Sequence, residues 1–149
     1  MIAVIQRVSA ASVEVDGETV GSCGHGLCIL LGVAKGDTAE DADALVKKII
    51  NLRIFEDGNG KMNLSLLDVG GEMLAVSNFT LLASYRKGNR PDYMSAAAPA
   101  VAKPLYEYFC QRCAESVKVG MGVFGADMKP HLDCDGPVTI VMDSKVLLA

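Results

Sequence analysis

Apolar and polar residues alternate from the first positions of the chain. Ile2, Val4, Gln6 and Val8 fall on one face and Ala3, Ile5 and Arg7 on the other, the period of a strand. Ser12 to Asp16 repeats the pattern with Val13 and Val15 together. Asp16-Gly17 predicts a type I′ hairpin, because that turn needs positive φ at both central residues, and Glu18 to Cys23 is the return strand. After the Gly24-His25-Gly26 turn, Leu27 to Val33 is an unbroken apolar run, as expected of a strand covered on both faces. Asp37 or Thr38 caps a helix that reaches about Asn51 and carries Ala42, Leu45, Val46, Ile49 and Ile50 on one stripe. Arg53 to Phe55 reads as a short strand, Asp57-Gly58-Asn59-Gly60 as a turn, and Met73 to Ser77 as another apolar strand. A polar loop follows, from Ser84 to Pro91. A second helix then runs to about Ala114, with Leu105, Phe109 and Cys113 on its buried side. Pro104 means that it either starts near Lys103 or starts near Pro99 and bends. Val117 to Met121 and Leu132 to Met142 close the pattern as strands, the second with Gly136-Pro137 inside it. Proline removes a ladder donor, so that strand has an edge position or a bulge there. Strands before, between and after two helices predict a compact layered α/β domain covering residues 1–149.

With 149 residues, the chain buries about 68–70% of its unfolded surface and needs no disulfide or metal to hold together. The formal charge of −4 disfavours wrapping long nucleic acid, since nonspecific affinity comes from cations on phosphates. A small footprint on one RNA end stays open if the basic residues cluster. The five cysteines are odd in number and no leader pattern precedes them, so a reduced, cytoplasmic protein is expected. No apolar run reaches the roughly 18 residues of a membrane helix.

Several chemistries find little support. Cys110 and Cys113 have a zinc-like spacing without a second pair, and they lie on the buried side of a helix; His25 and His131 are isolated. No metal or cofactor is expected. The glycines at 21, 24 and 26 separate strands rather than opening a helix, so they do not form a phosphate loop. Gly120 to Ala126 is either a tight connection or a place where a ligand or second chain approaches backbone. Neither histidine accompanies a nucleophile elbow, and Asp133 and Asp135 read as solvated loop carboxylates. Ser77-Asn78-Phe79-Thr80-Leu81 is more informative. A buried strand ends there, and free backbone N–H groups at strand ends can hold an oxyanion. Capping of the strand end by the Ser77 and Thr80 hydroxyls explains the same residues without any chemistry.

Six segments, in order and at matching spacing over the whole chain, carry a resemblance. They are Ile5-Gln6-Arg7-Val8, Gly60-Lys61-Met62-Asn63-Leu64-Ser65, Ser77 to Leu81, Arg86-Lys87-Gly88-Asn89-Arg90-Pro91, Gly122-Val123-Phe124-Gly125-Ala126-Asp127-Met128 and Asp135-Gly136-Pro137-Val138-Thr139. The chain resembles the D-aminoacyl-tRNA deacylases, enzymes of chiral proofreading. The resemblance implies a compact domain of mixed, largely antiparallel sheets with two main helices, working as a homodimer on the 3′ end of aminoacyl-tRNA, with no membrane and no DNA as partner. It implies hydrolysis of the ester of D-aminoacyl-tRNA, and of glycine mischarged on tRNA(Ala). Ser77, Asn78, Phe79 and Thr80 of one chain would then handle the ester, with backbone N–H groups near Asn78 and Phe79 as an oxyanion hole. A cis Gly136-Pro137 bond from the other chain would hold the α-ammonium on two carbonyls and exclude L side chains. Arg7 would brace those carbonyls, and Phe124, Gly125 and Ala126 would belong to the same selection. Attack would come from the Thr80 hydroxyl or with help from the terminal 2′-hydroxyl of the tRNA; the absence of a base beside Thr80 favours the second. Arg86, Lys87 and Arg90 are candidates for acceptor-end phosphates. The sequence departs from the family pattern at Asn78, usually Gln, and at Cys134, usually Asn. The competing readings are an L-serine editing domain like that of some archaeal threonyl-tRNA synthetases, a non-catalytic nucleic-acid-binding module of this fold, and a Thr-dependent esterase.

Overall fold

The computed structural model describes all residues from Met1 to Ala149. In chain order the elements are β1 (Ile2–Val15), β2 (Glu18–Cys23), β3 (Gly26–Gly32), α1 (Ala39–Ile50), β4 (Phe55–Glu56), β5 (Met62–Leu64) and β6 (Glu72–Ser77). They continue through a 3-10 turn (Phe79–Leu82), α2 (Pro99–Ala114), β7 (Val119–Met121), β8 (Lys129–Asp143) and the short α3 (Ser144–Leu148). The main sheet runs β2-β1-β3-β6-β7, with β8 also paired to β1. β1 is antiparallel to β2, β3 and β8, while β3-β6 and β6-β7 are parallel. β4 and β5 form a separate antiparallel pair around the Asp57 turn. The sheet curls until β7 meets β2. A Cβ on Gly21 would fall on the Met121 carbonyl, and one on Gly120 on the Ser22 carbonyl, so only glycine allows the two backbones to touch.

The hairpin forms as its residues predict, with φ of 52° at Asp16 and 79° at Gly17. The two strands expected before it are one strand, β1. At the apparent break Ser9 is skipped in the register, and pairing resumes with Ala10 to Asp133 and Ala11 to Leu132, so the strand runs on although the side-chain pattern lapses. In α1, Thr38 is the N-cap, and its N–H donates to the Asp41 carboxylate at 2.9 Å. The helix stops at Asn51, whose side-chain amide donates to the Lys47 carbonyl at 2.8 Å. Of the two expected starts for α2, Pro99 holds, and Pro104 lies inside the helix. There it removes one donor to the preceding turn. No helix is long and apolar enough to cross a membrane.

Leu45, Val46 and Ile49 of α1 and Phe109 and Cys113 of α2 pack on Ile5, Ile29 and Met73 of the sheet, forming the larger core. Each such side chain stabilises the fold by about 1.5–3 kcal/mol on burial. Burial pushes the Cys110 and Cys113 thiols up to about 12, so both are inert fillers of α2. A smaller core of Val8, Val13, Cys28, Leu74 and Val76 lies in the other side of the curl.

A buried charge cluster joins the chain ends to α1. The Met1 ammonium meets the Asp37 carboxylate at 2.7 Å, both fully buried. Asp41 accepts from the Ser144 hydroxyl and from Lys145, each at 2.7 Å. Burial opposes the Asp41 carboxylate, but the bonds from Lys145, Ser144 and the Thr38 N–H outweigh it and hold its pKa far below the usual range. A depressed carboxyl adds stability above the unfolded value of about 3.9, and that stability is lost as pH falls through the folded value. Asp41→Asn is therefore expected to lower the thermal midpoint at pH 7 by about 5 °C, the effect of losing roughly 2 kcal/mol in a chain of this size. The deficit should shrink below about pH 4; thermal melts across pH check this, and a deficit constant with pH would contradict it.

Candidate active site

β3, β6 and β7 run parallel, so their carboxyl ends lie on one side of the sheet, where open α/β folds place ligands. A cleft of about 730 Å³ opens there. Val33 follows β3, Ser77 ends β6 with Asn78, Phe79 and Thr80 just after it, and Phe124, Gly125 and Ala126 follow β7; all of them line it. Tyr93 and the start of α2 close the far wall, with the Phe79 and Tyr93 rings edge to face at 5.1 Å. Below the cleft, Tyr106 of α2 donates to the Ala75 carbonyl of β6 at 2.7 Å and tilts against Phe124, so the floor is tied to the core.

The wall is mostly apolar, and Asp127 is the only charged side chain lining it. Its polar character comes from backbone and hydroxyls. β6 continues its pairing one residue past its end, because the Asn78 N–H donates to the Leu31 carbonyl at 2.8 Å. That amide is committed to the sheet, so the expected oxyanion donor at Asn78 shifts to its neighbours. The Phe79 and Thr80 N–H groups open the 3-10 turn, where the first donors have no partner within the turn, and they are the donors this strand end can offer. The Thr80 hydroxyl donates to the Asn78 amide oxygen at 2.5 Å. An amide oxygen does not take a proton at neutral pH, so this contact fixes Thr80 without activating it as a nucleophile.

The structure does not bring every expected site residue into this cleft. Gly136 and Pro137 are outside it. They sit where β8 bulges from β1: Gln6 pairs with Thr139 and Val8 with Cys134, leaving Arg7 opposite the whole stretch from Asp135 to Val138. The Gly136-Pro137 bond is cis, Gly136 has φ of 129°, and both residues are exposed. Buried Arg7 reaches the bulge one residue earlier than expected. It donates to the Asp135 carbonyl at 3.2 Å and to the Ile54 carbonyl at 2.7 Å, not to the carbonyls of Gly136 or Pro137. The guanidinium lies under the bulge rather than beside its tip. Arg86, Lys87 and Arg90 are exposed and make no ion pair. Their loop is closed at its base by paired backbone bonds between Ser84 and Asp92, next to Tyr93 on the cleft wall. Tyr93 had no sequence signal of its own, since it falls in a segment without periodicity, and Asp127 was marked only as part of the Gly122 to Met128 segment that carries the resemblance. Gln6 had one, as a polar side chain on an otherwise apolar strand face.

Residues 4–143 match the family described as D-Tyr-tRNA(Tyr) deacylase. The chain belongs to the D-aminoacyl-tRNA deacylase family. The D-aminoacyl-tRNA deacylase of Persephonella marina is 58% identical over 99% of this chain and 100% of its own length. A solved structure described as a c-Myc DNA unwinding element binding protein is 41% identical, with a TM-score of 0.90 over 96% of this chain and 98% of the other. Another, described as a probable eukaryotic D-amino acid tRNA deacylase, is 18% identical and shares the fold, with a TM-score of 0.79 over 95% and 98%. As a D-aminoacyl-tRNA deacylase the chain is a hydrolase whose substrate is an ester on tRNA. Two amide donors at a strand end suit the negative charge that grows on an ester carbonyl under attack.

Proposed function

We propose that residues 1–149 form one domain and act in the cytoplasm as a homodimer. In this reading, Ser77 to Thr80 of one protomer receive the ester of a D-aminoacyl-tRNA, or of glycine mischarged on tRNA(Ala). The partner supplies Gly136-Pro137, which closes the cleft and excludes L side chains. One observation carries the proposal: within a protomer the cleft is lined without Gly136 and Pro137, while those two residues are extruded and exposed at a different part of the sheet. A second copy is the simplest way to join them. Rejection of the L-form is then steric, and glycine, lacking a side chain, escapes it. The Phe79 and Thr80 N–H groups hold the oxyanion, and the terminal 2′-hydroxyl of the tRNA assists attack, since the Thr80 proton is held by an amide. Phe124, Gly125 and Ala126 shape the wall facing the amino acid. Arg86, Lys87 and Arg90 meet acceptor-end phosphates.

Purified protein should hydrolyse D-Tyr-tRNA and Gly-tRNA(Ala), spare L-Tyr-tRNA, and sediment as a dimer. Intact D-Tyr-tRNA together with tight DNA binding at moderate salt would instead favour a DNA-binding module, the role in the name of one solved relative; the net charge of −4 weighs against that outcome. Thr80→Ala should stay within about tenfold of the unmodified rate, whereas losing an essential nucleophile costs on the order of a millionfold in a serine hydrolase. Single-turnover rates separate these, and a collapse with intact folding would restore Thr80 as nucleophile.

A further inference from the structure

The extruded Asp135–Val138 segment is held at both ends. Arg7 takes the first, through the Asp135 carbonyl. The second is taken by Gln6, whose side-chain amide donates to the Val138 carbonyl at 3.2 Å and to the Arg7 carbonyl at 3.4 Å. The Thr139 hydroxyl donates to the Gln6 amide oxygen at 2.5 Å. That bond decides which way the amide is turned, and so keeps its NH2 group on Val138. Every strong hydrogen-bonding group of the Gln6 side chain is engaged in this one arrangement. Val138 is also the residue packed behind Gly136. A Cβ built on Gly136 would lie 2.7 Å from the Val138 nitrogen and 2.9 Å from its Cγ2, so the space any side chain at Gly136 would need is set by where Val138 is held. Gln6 shares its sheet face with Ile2 and Val4, where a leucine would satisfy packing equally well.

We infer that Gln6 and Thr139 form a polar clamp that fixes Gly136 through Val138 and thereby sets the discrimination between D- and L-aminoacyl esters. Both are positioning residues; neither touches substrate. The inference rests on the reading of Gly136-Pro137 as the element that excludes L side chains.

The test compares Gln6→Leu, Thr139→Val, Thr139→Ser and their double variant, with Gly136→Ala as reference, on D-Tyr-tRNA and L-Tyr-tRNA. Gln6→Leu and Thr139→Val should each lower the ratio of D- to L-hydrolysis by about tenfold, the equivalent of one lost hydrogen bond. Thr139→Ser, which restores the hydroxyl, should restore the ratio. The double variant Gln6→Leu/Thr139→Val should be no worse than the poorer single, because the two act as a unit. A merely structural role would lower the thermal midpoint and both rates together while leaving the ratio unchanged, and that result overturns the clamp. If Gln6→Leu does not fold, Thr139→Val, at an exposed position, decides alone. Should the clamp variants keep the ratio while Gly136→Ala changes hydrolysis, only the clamp is lost. Should Gly136→Ala also leave both rates untouched, the reading of the Gly-Pro motif is lost with it.

Discussion

Gly136→Ala is expected to lower kcat/KM on D-Tyr-tRNA by at least about a hundredfold, the scale on which a displacement of about 1 Å near reacting groups acts. The backbone at Gly136 has φ of 129°, a region that L side chains rarely enter. A methyl group there would also press on the Val138 nitrogen and Cγ2. The bulge must therefore move, and whatever its tip presents to a substrate moves with it. The cost in stability is smaller, about 1–3 kcal/mol for one strained residue, because the tip is exposed and packs little else. Circular-dichroism melts should thus show a folded protein at the assay temperature while single-turnover rates collapse. A variant with unchanged rate would place the chemistry elsewhere.

Arg7→Ala should damage both folding and catalysis. Arg7 is 6% exposed, and two of its guanidinium nitrogens serve different segments: one bonds the Ile54 carbonyl leading into β4, the other the Asp135 carbonyl at the root of the bulge. Truncation leaves a buried carbonyl without its donor and a void where the side chain lay, together costing roughly 3 kcal/mol. The ion pair with Asp135 adds little, since that carboxylate is 44% exposed and screened by water. Turnover on D-Tyr-tRNA should fall by about a hundredfold even where the variant is folded, because the bulge loses its anchor. Arg7→Lys keeps the charge but cannot span both carbonyls with a planar fork, so it should lie between the two. Urea titrations and steady-state kinetics read the two effects separately; a stability loss without loss of turnover would reduce Arg7 to a fold residue.

The elements set by local pattern were legible. Ala42, Leu45, Val46, Ile49 and Ile50 placed α1, and Asp16-Gly17 placed the hairpin. What stayed hidden depends on partners remote in sequence. β1 continues past an unpaired Ser9 because β8 pairs with it again from Ala10 onward, which no alternation around those residues reveals. The short α3 is fixed by Asp41 accepting from Ser144 and Lys145, more than a hundred residues away. At the candidate site, the strand end at Ser77 was visible as an apolar run stopping on polar residues. The engagement of the Asn78 N–H was not, because its acceptor, Leu31, lies on another strand. Likewise a proline inside β8 announced an edge or a bulge, but only the register shows that the bulge is there with Arg7 opposite it, and that the cleft lies elsewhere.

The bulge has a further consequence, for solubility. β8 is paired only to β1, so a strand of 15 residues carries an open edge, the kind of template along which chains polymerise. Pro130 and Pro137 each remove a donor from this strand, and the outward turn between Cys134 and Thr139 breaks its line near the middle. A stray strand could add to either half but not run unbroken across both. The feature assigned to selecting a substrate would also act as a gatekeeper against fibrous self-association.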